Sequence, residues 1–173
     1  MSGGIRETHE EIPMTESFGF NIEGRTVNRM KDQMEALGLP TTIDFVYDDG
    51  GRSKVGYKSR VKNADDCVVR SIAIALDLPY DQVFRELMYI GLELGLYPNA
   101  RSVHERYLKA HGWVKNKCPR NVSGNLIKLR DWCSAPHRAV VSNSRHLTAI
   151  VDGKCRDTWD CTYRPVNSYW TKA

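Results

Sequence analysis

One stretch of the chain constrains its fold more than any other: residues 65–76, with the sequence Asp-Asp-Cys-Val-Val-Arg-Ser-Ile-Ala-Ile-Ala-Leu. Asp65 and Asp66 stand where the N-cap of a helix belongs, and apolar residues follow them with almost no interruption. A helix that is apolar on nearly all sides must be buried. The stretch therefore predicts a central helix that the rest of the chain surrounds.

Cys67 would lie in the first turn of this helix. The unpaired N–H groups and the macrodipole at a helix N-terminus favour negative charge, and a thiolate is negatively charged. Because the thiolate is the reactive form of cysteine, Cys67 is a candidate nucleophile. The alternative is that Cys67 is a small core residue, as cysteines at the start of buried helices often are.

Length and charge limit the classes of protein that fit. The length of 173 residues, 41% of them hydrophobic, predicts a single domain over residues 25–173. Residues 1–24 are polar and acidic, and they predict a flexible arm or a segment that depends on a partner to fold. The net charge of +4 is dispersed, so nucleic acid is not expected as a partner. With no membrane-spanning stretch and no signal-peptide pattern, we expect a cytoplasmic protein without a membrane partner.

The cysteine count argues against disulfides and metal. The chain has an odd number of cysteines, without a C-x-x-C pair: Cys67, Cys118, Cys133, Cys155 and Cys161. A disulfide framework and a structural zinc site are therefore not expected, although a site of scattered Cys and His ligands stays open. We expect no metal and no organic cofactor, and packing or surface roles for the four cysteines after Cys67.

The order of helical and strand-like patterns predicts an α+β fold, with N-terminal helices and a central Cys-bearing helix packed on a C-terminal antiparallel sheet. Helical periodicity covers residues 26–37, 67–77, 79–94, 101–110 and 123–131. Strand-like patterns cover residues 42–47, 53–60, 137–142, 146–151, 154–159 and 164–169.

The last hairpin gives the most specific prediction. If Asp152-Gly153 is a two-residue loop, His146 and Asp157 lie on one face of the sheet, close enough for a carboxylate to orient an imidazole. Trp159 would then lie opposite His146. A three-residue loop would reverse the alternation and favour Asp160 instead. Two alternatives stay open when each residue is taken singly. His146 could be a strand-edge histidine bonded to a backbone group, and Asp157 could be a solvated strand residue or a turn cap.

The order of a cysteine at a helix start, a histidine opening a strand and an acid on the next strand resembles papain-like cysteine hydrolases, a group that includes peptidases, transglutaminase-like proteins and acyltransferases. The segments at residues 47–52, 56–58, 66–75 and 157–160 also resemble small proteins from bacteriophages and bacterial genomes. The resemblance covers roughly residues 45–170. It implies a papain-like fold with Cys67 as nucleophile, His146 as base and Asp157 as orienting acid.

The resemblance also implies an oxyanion hole, formed by the backbone N–H of Cys67 and a side-chain amide before it, for which Asn63 is the candidate. Acidic residues directly before Cys67 depart from the family pattern, because a carboxylate there disfavours a thiolate unless it points away. Trp159 is a candidate for shielding the His–Asp pair and for binding substrate. Arg70 is a candidate for binding a substrate carboxylate, or for a salt bridge to an acidic neighbour.

The expected function is that of a cysteine hydrolase, a thiol protease or another amide-cleaving enzyme, with a protein or peptide as substrate. The likeness to phage proteins suggests a host protein as the target, which would place the chain in the host cytoplasm. The alternative is a papain-like fold without activity that binds or inhibits a host protein. The acidic pair before Cys67 supports this alternative.

Overall fold

The computed structural model describes residues 32–38, 41–56, 65–118, 120–121 and 123–173. The helices are α1 (Cys67–Leu76), α2 (Tyr80–Leu94) and α3 (Arg101–Ala110), with a helical stretch at 32–36 before them. The strands are β1 (Asp44–Tyr47), β2 (Trp113–Lys117), β3 (Arg138–Asn143), β4 (His146–Val151), β5 (Lys154–Asp157) and β6 (Ser168–Lys172). The mixed α+β class is confirmed.

In the described part of the chain, the six strands form one sheet in the order β1-β5-β4-β3-β6-β2. Neighbouring strands are antiparallel except β1 and β5, which are parallel. The prediction of a C-terminal antiparallel sheet is therefore wrong in direction at β1 and in position at both edges, although the predicted strand at 42–47 is confirmed as β1. β1 comes from before the helices and β2 from directly after them, and local patterning does not show which strands will pair.

Helix α1 is the predicted central helix, and all but three of its residues are buried. It ends at Asp77, whose φ of 56° places it in the left-handed region before Leu78 and Pro79. At the C-terminal end of α1, the Arg138 guanidinium donates hydrogen bonds to the carbonyls of Ile74 and Ala75. Burial on nearly all sides follows from the nearly continuous apolar sequence.

The two faces of the sheet belong to two separate hydrophobic clusters. Leu147 and Ala149 pack in the cluster that contains α1, whereas Ile150 and Cys155 pack in the cluster on the other face. The β4–β5 turn at Asp152 and Gly153 has φ values of 55° and 70°, as a two-residue type I′ turn requires. The predicted register is confirmed, since Ile150 pairs with Cys155 and Val151 with Lys154.

Several predicted elements differ from the structure. A strand at 53–60 is wrong in its described part: Arg52–Val55 is a 3₁₀ helix, because the Asp49 carboxylate accepts the N–H groups of Gly51 and Ser53 and turns the chain. The helix at 123–131 is reduced to a 3₁₀ turn at Leu129–Asp131. The last strand begins at Ser168 rather than Arg164. The N-terminal arm at 1–24 and the helix start at 26–31 lie outside the described residues.

Candidate active site

A buried imidazole–carboxylate contact joins the two strands of the last hairpin. His146 is the first residue of β4 and Asp157 is the last residue of β5. The Nε2 atom of His146 lies 2.6 Å from Oδ2 of Asp157, and the two residues are only 8% and 3% exposed. Because Nε2 is engaged by Asp157, Nδ1 is the nitrogen left for proton exchange with another group.

The electrostatics of the pair favour an ionised histidine. Burial opposes the imidazolium, but hydrogen bonds to Asp157, Cys161 and Cys67 outweigh it and raise the pKa of His146 to about 11. Burial likewise opposes the carboxylate, but the contacts with His146, the Thr158 N–H and Arg70 lower the pKa of Asp157. Each partner stabilises the charge of the other, as expected for a buried ion pair.

Cys67 lies near this pair, at the start of α1. It is the first residue of α1, its side chain is half-buried, and it lines a cavity of about 210 Å³. The Cys67 thiol is one of the three side chains that raise the pKa of His146, after Asp157 and Cys161. The structure thus brings together the three residues proposed from the sequence as nucleophile, base and orienting acid.

The carboxylates near Cys67 belong to a buried charge network. Arg70 donates hydrogen bonds to Asp66 and, over 3.2 Å, to Oδ1 of Asp157. Asp66 also accepts hydrogen bonds from Arg52 and from the Tyr80 hydroxyl, at 2.9 Å and 3.0 Å. Arg70 is therefore held in salt bridges, the second of its two predicted roles, and its burial argues against the first role of binding substrate.

The expected capping role of Asp66 is wrong, although its position as N-cap residue is right. The carboxylate of Asp66 makes no capping hydrogen bond to the helix backbone. It is turned instead toward two guanidinium groups, which compensate its charge. The acid directly before Cys67 is therefore neutralised within the protein, and the predicted repulsion of a thiolate by Asp66 is reduced.

A second thiol, Cys161, reaches the pair and was missed by sequence reasoning. Its Sγ atom lies 3.8 Å from Oδ2 of Asp157 and 3.7 Å from Sγ of Cys155. Hydrogen bonds with Cys155 and His146 lower the pKa of the Cys161 thiol. Cys161 is fully buried, whereas Cys67 opens onto a cavity. No local motif marks Cys161, because the turn after β5 alone carries it back to the pair.

Of the three remaining candidates, Trp159 lies at the site, Asp160 does not, and Asn63 is outside the described residues. The Trp159 ring packs against the His146 ring with centroids 5.0 Å apart, so the predicted proximity is confirmed, although Trp159 follows β5 rather than belonging to it. Asp160, the alternative acid, is exposed and accepts hydrogen bonds from the backbone N–H and the hydroxyl of Thr162 instead. Asn63, the candidate oxyanion donor, lies outside the described residues.

Metal binding finds limited support at this site. Within the described ranges, His146, Asp157 and Cys161 form the group whose ligand atoms lie within 4.8 Å of one another, as a metal ion requires. The Arg70 guanidinium on Asp157 places positive charge where a cation would have to bind. The arrangement suits proton transfer and thiolate stabilisation better than metal coordination.

Comparison of the chain with protein-family models, curated protein sequences and solved structures gave no match. In the ranges that the structure describes, no helix is long and apolar enough to cross a membrane.

Proposed function

We propose that this protein is a cysteine hydrolase with a papain-like arrangement, which cleaves an amide bond with Cys67 as nucleophile, His146 as base and Asp157 as orienting acid. The observation that supports this most is the buried 2.6 Å contact between His146 and Asp157, next to a half-buried cysteine at a helix N-terminus. A nucleophile, a base and a group that orients the base are the parts that thiol hydrolysis needs.

The proposed reaction has two steps. Because His146 is an imidazolium in the resting site, the proposed nucleophile is a Cys67 thiolate paired with it, which attacks the amide carbonyl to give a tetrahedral oxyanion. The imidazolium then protonates the departing amine as the C–N bond breaks, which leaves a thioester on Cys67. In the second step the now neutral His146 deprotonates water, which attacks the thioester, releases the carboxylic acid and restores the thiolate beside the imidazolium.

The oxyanion would bind at the start of α1. The backbone N–H of Cys67 belongs to the first turn of α1, where N–H groups have no acceptor within the helix. It can therefore donate to the developing charge without losing another hydrogen bond. Asn63 as a second donor stays a prediction, and so do a protein or peptide substrate and a phage origin with a host protein as target.

The rate of alkylation by iodoacetamide tests the proposal. Each cysteine is followed by mass spectrometry between pH 5 and pH 9, in the wild type and in His146→Ala. We expect Cys67 to react faster than the four other cysteines near pH 6 and to lose this advantage in the variant. The exposed His137, paired with Asp152, provides the matched control variant His137→Ala, which should leave the Cys67 rate unchanged.

A rate at Cys67 that ignores His146 would contradict the catalytic proposal. The alternative, a protein-binding domain without activity, would then be favoured. Exposed apolar side chains on α2 and in the loop after it, including Leu92 and Tyr97, support that alternative because such patches often mark protein contacts.

A further inference from the structure

The cavity beside Cys67 is built by three separate parts of the chain. The start of α1 contributes Cys67, the start of α3 contributes Arg101 and His104, and the β3–β4 turn contributes Ser144 and Arg145. At about 210 Å³ it is smaller than the pockets of roughly 300–1,000 Å³ that hold drug-sized ligands. It therefore suits one short side chain or one chain terminus.

The cavity is electropositive. Arg101 and Arg145 are exposed, and neither forms an ion pair with another residue in the described ranges. One carboxylate, Asp65, also lines the cavity, so the two guanidinium groups outnumber it. The N-termini of α1 and α3 both open onto the cavity, and each adds partial positive charge.

The wall of the cavity also holds a polar group without a well-formed hydrogen bond. His104 is 8% exposed, and its Nδ1 atom has no hydrogen-bond partner among the described residues. Burial lowers the pKa of His104, whereas a hydrogen bond with the Ala100 backbone at the start of α3 opposes that shift. The Ser142 and Ser144 hydroxyls line the same cavity and offer further donors.

We infer that this cavity binds a carboxylate of the substrate beside the scissile bond, with Arg101 and Arg145 as the recognising residues, so that the substrate is an amide with an acidic side chain or a free chain terminus next to the cleaved bond. This inference rests on the proposed function, because the cavity is a substrate subsite only if Cys67 is the nucleophile. Guanidinium groups match the planar, two-oxygen geometry of a carboxylate.

Iodoacetate and iodoacetamide differ mainly in charge, so their relative rates at Cys67 test the inference. The ratio of the iodoacetate rate to the iodoacetamide rate is measured in intact protein and compared with that of N-acetylcysteine amide, a neutral thiol. We expect Cys67 to exceed the neutral thiol by about fivefold or more, since two cationic contacts of about 0.5 kcal/mol each act together.

Two double variants distinguish the effect of the cavity arginines on the rate ratio from the effect of the net charge of the protein. Arg101→Gln with Arg145→Gln should lower the ratio at Cys67 severalfold, whereas Arg85→Gln with Arg130→Gln removes the same net charge outside the cavity and should leave it unchanged. An equal ratio in both double variants would overturn the inference. Failure of the proposed function appears differently, as an iodoacetamide rate at Cys67 that is independent of His146.

Protection of Cys67 from iodoacetamide identifies the source of the carboxylate. N-acetyl-glutamate α-amide carries only a side-chain carboxylate, N-acetyl-glutamine only a terminal one, and N-acetyl-glutaminamide none. Protection by the first or second compound assigns an acidic side chain or a chain terminus, and protection by both assigns any nearby carboxylate. Equal protection by all three, or by none at millimolar concentration, would contradict a carboxylate subsite.

Discussion

Two Asp–Arg pairs with the same four-residue spacing stand at the starts of neighbouring helices, and they occupy opposite environments. Asp66 and Arg70 at the start of α1 are less than 10% exposed, whereas the side chains of Asp81 and Arg85 at the start of α2 are 37% and 63% exposed. The spacing brings each pair together on one helix face. Burial decides what each pair does.

The exposed pair stabilises a helix turn at most slightly, because water and salt screen it. The buried pair cannot use water, so each of its charges needs protein partners, and these partners come from several segments. Through Asp157 the buried pair is joined to His146, and it thereby fixes the orienting acid of the candidate site. The same Asp–Arg spacing therefore gives an exposed ion pair on α2 and a buried part of the candidate site on α1.

The largest contrast is expected from removing the arginine of each pair. Arg70→Met leaves Asp66 and Asp157 short of a counter-charge in the interior, and it should lower the free energy of unfolding by about 3–5 kcal/mol. Arg85→Met should cost less than about 1 kcal/mol. Urea denaturation of both variants measures the difference. Equal losses would mean that burial does not distinguish the two pairs.

The next effect comes from the close approach of a turn to the buried pair. A Cβ atom at Gly50 would lie 3.1 Å from both Cα and the carbonyl oxygen of Arg70, whereas one at Gly56 meets nothing within 4 Å. Both glycines have positive φ, so each alanine variant carries a similar strain of about 1–2 kcal/mol. Gly50→Ala should lose about 1–3 kcal/mol more than Gly56→Ala because backbone must shift. Thermal unfolding of the two variants tests this contact.

An effect of similar size is expected from the Tyr80 hydroxyl, which donates to Asp66. Tyr80→Phe removes a hydrogen bond to a buried charge and should cost about 1.5–3 kcal/mol. Tyr89, on the same helix but largely exposed, provides the control Tyr89→Phe, for which we expect no measurable change in chemical denaturation. An unchanged free energy of unfolding in Tyr80→Phe would show that the two arginines alone satisfy the hydrogen-bonding needs of Asp66.

A gradual change is expected from pH. The pKa of His146 is raised from 6.5 to about 11, so its contribution to stability is complete below pH 6.5 and declines up to pH 11, by at most about 1.4 kcal/mol per pH unit. The pKa of Asp157 is lowered, so its contribution is lost as the pH falls through and below 3.8. The pKa of Cys161 is lowered, so its thiol ionises at a lower pH in the folded protein than in the unfolded chain. Its contribution to stability therefore grows with pH and offsets part of the loss at His146.

The matching measurement is the free energy of unfolding of wild type and His146→Gln across pH 4–10. The wild type should lose its advantage over the variant as the solution becomes more alkaline. A difference that grows with pH would contradict the ionised His146–Asp157 pair.

The sequence predicted the parts of the site that depend on local chemistry. The Asp152-Gly153 dipeptide set the hairpin register, which brought Asp157 to His146, and the apolar run after Cys67 predicted the buried helix. The partners of Asp66 and the return of Cys161 were not predictable, because they depend on contacts between distant segments. The parallel pairing of β1 with β5 was missed for the same reason.

Helix α1 is tied to the sheet by an arginine near each end. Arg70 joins its first turns to Asp157 of β5, and Arg138 of β3 holds the carbonyls of Ile74 and Ala75 near its last turn. The two attachments resist sliding of the helix along its own axis in either direction. The position of Cys67 relative to the sheet is therefore fixed, and under the proposed function little reorganisation energy would be needed when a substrate binds.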